Sequence, residues 1–360
     1  MSVQILVGTR KGLFFLTSDD ARRDWQVDGP ELTGWEIMHA VRDPRDGALY
    51  ACSSNFVYSA TVHKSTDGGK TWERSEQVGL PEESGLKLEK LWHVRPGHPD
   101  RPNELWLGGT PAALFRSQDS GQTWEPVKGI LEHPTRDRWQ PGAGGMCCHT
   151  IQLDPSDPDR LVVAISAAGA FRTDDGGETW PPKNKDVAAD FYPDDPYPEV
   201  GQCVHKLLVH PQRPERWWQQ NHCGVYRSDD RGDTWERLDK NGLPSDFGFP
   251  IMIHPRDPDT AVVIPEEGAM NRVTVGGKLG AYRTRDAGAT WEIASEGLPE
   301  QAWSVILREA SASDSLDPAG FYFGTQGGSV YASPSEGDDW LCAAADLPPV
   351  LSVEVAEWSS

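Results

Sequence analysis

The sequence is short of positive charge and of long apolar runs. Its 34 Lys and Arg face 55 Asp and Glu, a formal net charge of −21. A chain this acidic repels phosphate backbones and anionic lipid headgroups. No basic stripe interleaved with aromatics interrupts it, so nucleic acid is excluded as a partner. No stretch approaches the length of apolar residues that a bilayer-spanning helix needs, and no membrane association is expected. The opening Met1-Ser2-Val3-Gln4 lacks the basic segment and apolar run of an export signal. Cysteine is sparse too. The six thiols form neither a disulfide framework nor a CxxC zinc motif, and reduced thiols in a cytoplasmic protein are expected. Cys147, Cys148, Cys203 and Cys223 read as small buried hydrophobes. Apolar residues make up only 37% of the chain, which argues against a thick core of packed helices.

Turn formers and tryptophan are abundant, with 36 Gly, 29 Pro and 15 Trp. The tryptophans are tied to a repeat, Ser/Thr-x-Asp-x-Gly-x-Thr-Trp. It runs over Ser65–Trp72, Ser117–Trp124, Thr173–Trp180, Ser228–Trp235 and Thr284–Trp291, with a weaker copy at Ser333–Trp340 and a degenerate one at Ser18–Trp25. The copies recur every 47 to 56 residues, a propeller-blade period. Asp67, Asp119, Asp175, Asp230 and Asp286 are expected to cap the backbone amides of their own turns. The glycine supplies a positive φ, and the tryptophan buries its ring between blades.

The motif resembles the Asp-box, or bacterial neuraminidase repeat, propellers. That group includes sialidases, glucan hydrolases, sortilin-type receptors and a photosystem assembly factor. The resemblance implies an all-β, seven-bladed propeller of four-stranded antiparallel blades spanning 1–360 as one domain. It specifies the fold better than the function. In blade four, Cys148–Leu153 reads as the inner strand, Leu161–Ser166 and Ala170–Thr173 as the next two, and the outermost begins at Thr179. Residues 3–29 supply a blade without its inner strand, and 350–357 supply the missing one. The ring should close there and leave no open edge.

Four histidines, His39, His93, His149 and His205, fall near the same point of four consecutive inner strands, five or six residues before the following turn. Ring closure would aim them at one axis near the channel mouth formed by the inter-blade loops. Imidazoles without a carboxylate suit a transition metal such as Fe, Cu, Ni or Zn. Glu89, Glu199 and Glu267 would bond the outer ring nitrogens. Long loops over 128–145, 181–201 and 265–279 fall on that face and bring Arg138, Trp139 and Tyr192; His222 joins them from a turn. The expected function is metal-assisted oxidation or hydrolysis of a small organic molecule in that pocket. A carboxylate pair drawn from Asp194, Asp195, Glu199, Glu266 and Glu267 would instead make a glycoside hydrolase. A non-catalytic scaffold for a protein partner is the third alternative. The Arg-Ile-Pro element shared by sialidases is absent.

Overall fold

The computed structural model describes residues 3–55, 59–75 and 78–357. Seven antiparallel sheets follow one another around a ring, six of them four-stranded. Blade one combines Val3–Thr9, Gly12–Ser18 and Gln26–Glu31 with the last strand, Val350–Glu357. That closing strand pairs antiparallel with Val3–Thr9, Ile5 opposite Val355 and Val7 opposite Val353. Blades two to seven begin at Glu36, Lys90, Cys148, Val204, Gly248 and Ser311. The expected ring and its closure are both present.

Each blade is covered on two sides by its neighbours, so its middle strands are apolar on both faces. Leu161–Ile165 is buried throughout, and so is Ala261–Pro265. The Asp-boxes pin the outer turns. Asp67 accepts the Thr71 amide (2.9 Å) and the Thr71 hydroxyl (2.7 Å), and Ser65 Oγ accepts the Gly69 amide at 2.9 Å. Asp119, Asp175, Asp230 and Asp286 repeat this with Thr123, Thr179, Thr234 and Thr290. Gly69 has φ +93°, and a Cβ there would lie 2.8 Å from the Phe15 ring, so no larger residue fits. The box tryptophans stitch blades together. Trp235, Trp291 and Trp340 donate their indole N–H groups to Lys183, Leu238 and Ala294 carbonyls of the preceding blade.

Blade four departs from expectation. The sequence suggested an outer strand from Thr179, but the structure has three strands and a single bridge between Phe171 and Pro182. Pro181 has no amide hydrogen to return to Arg172, so the ladder is cut down to the Arg172 amide on the Pro181 carbonyl (3.2 Å) and the Lys183 amide on the Ala170 carbonyl (2.8 Å).

Candidate functional site

The inner strands converge on a central channel, and each of the first five begins with a β-bulge. Bulges re-aim side chains, and here they decide which histidines reach the channel. In blades two and three the register shifts between Ile37 and His39 and between Leu91 and His93, so Met38 and Trp92 are the extra residues. In blades four and five it shifts between Cys148 and Thr150 and between Val204 and Lys206, so His149 and His205 are themselves the extra residues. The four histidines therefore do not share one position. Thr150 and Lys206 occupy the places that match His39 and His93.

The consequence corrects the expected metal site. His149 lies between blades, with Nε2 donating to the Val204 carbonyl (2.9 Å) and Nδ1 against the Thr150 hydroxyl (2.9 Å). Both nitrogens are engaged, and no lone pair is left for a metal. His205 bonds the Gly248 carbonyl of the next blade through Nδ1 at 2.6 Å and stacks on Phe249. Burial drives both imidazoles well below their usual range, with Arg308 adding to it. His39 and His93 do meet: their rings stack at 4.1 Å. They are joined by Glu309, and ligating atoms of the three lie within 4.8 Å of one another.

The expected outer carboxylates are elsewhere. Glu89 is exposed. Glu199 is exposed and pairs with Arg138 at 2.5 Å, and Glu267 accepts the Gly276 amide within its own loop. None contacts a histidine ring among the described residues. Trp139, expected to line a pocket, is buried against Phe171 and His133 with its N–H on Thr135. Tyr192 packs on Phe191 over Gly201, and His222 sits edge-on to His205 and Phe247.

Two carboxylates that do reach the channel beside the histidines are Glu309 and Glu354. Glu309 Oε2 is 3.2 Å from His93 Nδ1, and Glu354 Oε2 is 3.7 Å from His39 Nε2. Glu309 is buried, which opposes its charge, but Lys206 and His93 hold it well below the usual carboxylate range. Burial likewise opposes the charge of Glu354, and His39 and Arg95 overcome it. Burial lowers His93 to about 4, so its ring is neutral at pH 7. Lys206 spans to blade seven, donating to the Ser311 carbonyl at 2.9 Å.

Glu309, Glu354, His93 and Lys206 line a chamber of about 250 Å³, together with Thr150, Gln152 and Arg95. It adjoins a funnel of about 870 Å³ that shares Arg95, Gln152 and Glu354. The funnel is walled by Asp43, Pro96, Pro155, Pro211 and Ser315, which lie at the turns between the first two strands of their blades. It therefore opens on the face opposite the long loops, where the sequence placed the site. At the loop end Arg308 crosses the channel. Its Nη1 donates to Ser166 Oγ (2.8 Å) and Cys147 Sγ (3.2 Å), and its guanidinium lies 5.7 Å from both the Trp92 and Phe249 rings.

Ring, repeats and closure together define a seven-bladed β-propeller that carries Asp-box turns. The family described as "BNR/Asp-box repeat" matches residues 63–74, the first intact copy. The chain is 25% identical over 350 residues to a probable oligoxyloglucan-reducing end-specific xyloglucanase of Neosartorya fischeri. That alignment covers 85% of this chain but 40% of the relative, so the chain spans well under half of it. Among solved structures, an ancestral GH74 enzyme superposes with a TM-score of 0.58 at 16% identity, over 82% of this chain and 36% of that one. YCF48 from Cyanidioschyzon merolae superposes with 0.56 at 15% identity, over 86% and 88%. Both superpositions speak for the fold alone.

Proposed function

We propose that this chain is a carbohydrate-active propeller of the glycoside-hydrolase type, taking a short saccharide into the channel from the funnel. The observation that carries the reading is a pair of carboxylates, Glu309 and Glu354, lining one chamber with His93, whose ring stacks on the buried His39 behind it. Glycoside hydrolysis needs a proton donor and a base facing one bond. Glu354 is the more exposed carboxylate and stays ionised, which suits the base. The donor is the His93 imidazolium with Glu309 as its counter-ion. Arg95, Gln152 and Lys206 are placed to bond sugar hydroxyls. The xyloglucanase relative supports the substrate class, though this chain covers less than half of it.

Because His93 is lowered to about 4, the donor form exists only on the acid side. Xyloglucan oligosaccharides incubated with the protein should release reducing ends fastest near pH 4 and slowly at pH 7. Glu354→Gln and His93→Ala should each reduce the rate at least 100-fold in folded protein. Folded wild type that neither binds these oligosaccharides in calorimetry nor cleaves them would end this reading.

A second reading rests on the opposite face. Phe191, Tyr197, Met270 and Trp303 are large apolar residues left exposed, at 43%, 60%, 94% and 73%, in or against the long loops. Such patches mark protein contacts, and the net charge of −21 favours a basic partner. Co-purification of a basic protein that Trp303→Ala abolishes would support it; retention by that variant would refute it.

A further inference from the structure

The loop end of the channel carries a cluster that the saccharide chamber does not use. Cys203 directly precedes the inner strand Val204–His210 of blade five, and His205 is two residues further on. Alternation along extended chain would put both side chains on one side, and the bulge at His205 adjusts its aim. His222 sits in the turn after the next strand, and its amide donates to the Cys203 carbonyl at 2.9 Å. Local sequence and one hairpin thus bring a thiol and two imidazoles together. Their ligating atoms all lie within 4.8 Å of one another.

Two further observations distinguish this from casual packing. His205 bonds the Gly248 carbonyl through Nδ1 at 2.6 Å, which fixes the proton there and leaves Nε2 with a free lone pair. Metal-bound histidines are oriented by such backbone carbonyls. Phe249 stacks on the His205 ring at 4.4 Å, and Phe247 stands edge-on to both His205 and His222 at 5.2 Å. The rings are held in place before any ion arrives. Burial pushes the Cys203 thiol up, while Arg308 nearby pulls it back toward the thiolate.

We propose that Cys203, His205 and His222 bind one zinc-class transition-metal ion at the loop end of the channel. One sulfur and two nitrogens form a borderline-soft donor set that rejects Mg²⁺ and Ca²⁺ and accepts Zn²⁺ or Co²⁺. Three protein ligands leave a fourth position for water or a small ligand. As the sulfur–metal bond forms, the Cys203 proton leaves to solvent. The site is independent of the saccharide reading, and failure of either leaves the other standing.

The test uses the full chain, purified without a histidine tag, stripped with chelator and titrated with Co²⁺. One equivalent should bind and give a near-ultraviolet sulfur-to-cobalt charge-transfer band, displaced by one equivalent of Zn²⁺. Cys203→Ser should abolish the band. His222→Ala, at a half-exposed turn, should keep the circular dichroism spectrum and weaken binding at least 10-fold. Zn²⁺ should also protect wild-type Cys203 from iodoacetamide, a readout that needs no variant. A folded wild type without the band, an undiminished band in Cys203→Ser, or full affinity in His222→Ala would overturn the site.

Discussion

Arg308 of blade seven donates to the hydroxyl of Ser166 in blade four at 2.8 Å, and the two residues belong to opposite sides of the ring. One side chain therefore bridges the channel and separates the loop end from the chamber beneath. It also covers Cys147, which is fully buried.

Arg308→Ala removes this bridge. The reaction of Cys147 with a thiol reagent should accelerate several-fold, followed by mass spectrometry of the labelled peptide. The loss of charge-assisted hydrogen bonds should lower stability by about 1–3 kcal/mol in denaturant unfolding. Unchanged thiol reactivity would show that the channel is closed by something else.

His93 makes stability depend on pH. Its unfolded value is 6.5 and its folded value about 4, because burial disfavours the cation. Above pH 6.5 the ring is neutral in both states, and its contribution is fully present. As pH falls from 6.5 to 4 the unfolded chain gains a proton that the folded chain refuses, at a cost of about 3 kcal/mol. Urea unfolding at pH 7 and pH 4.5 should show this loss in wild type and a smaller one in His93→Gln.

Glu266 acts in the opposite direction. Burial raises it to about 7 from 4.5, with the Ile306 backbone and Arg272 offsetting only part. Its stabilising share is complete below pH 4.5 and is lost as pH rises to 7, when the folded state must ionise a buried carboxyl. Glu266→Gln should match wild type near pH 4. At pH 8 it should be more stable by up to about 3 kcal/mol, measured by thermal or denaturant unfolding.

Val353 ties the closing strand to blade seven, its amide donating to the Glu309 carbonyl at 2.8 Å. Val353→Pro deletes that donor within a sheet and should cost about 3 kcal/mol or more. Val353→Thr, which keeps the amide, should cost less. Equal losses in both variants would assign the effect to side-chain packing.

The repeat made the architecture readable, because each Asp-box carries its own turn chemistry and each Trp its own inter-blade contact. The closing strand was readable for a similar reason: 3–29 lacked an inner strand, and 350–357 had no other partner. The histidine column misled because a one-residue bulge shift leaves no mark on the sequence. His39 and His149 look equivalent by spacing, yet one follows the bulge and the other is the bulge. Glu309 and Glu354 escaped notice because neither belongs to a histidine-bearing inner strand: Glu354 lies on the closing strand, and Glu309 just before Ser311–Ser313. The available signal was Glu354 itself, a charge inside the apolar run Leu351–Val355 that the closing strand buries. Trp139 belonged to a long segment read as open loop. That segment instead folds into short turns at Lys128–Leu131 and Arg136–Arg138 and packs its ring inward.

The strand that seals the propeller also brings Glu354 to the chamber. During synthesis six blades and three strands of the first precede the closing strand, and until it arrives the channel lacks Glu354. Sealing and arming are then a single event, so a chain cut before Val350 would be both open at its seam and chemically incomplete at its centre.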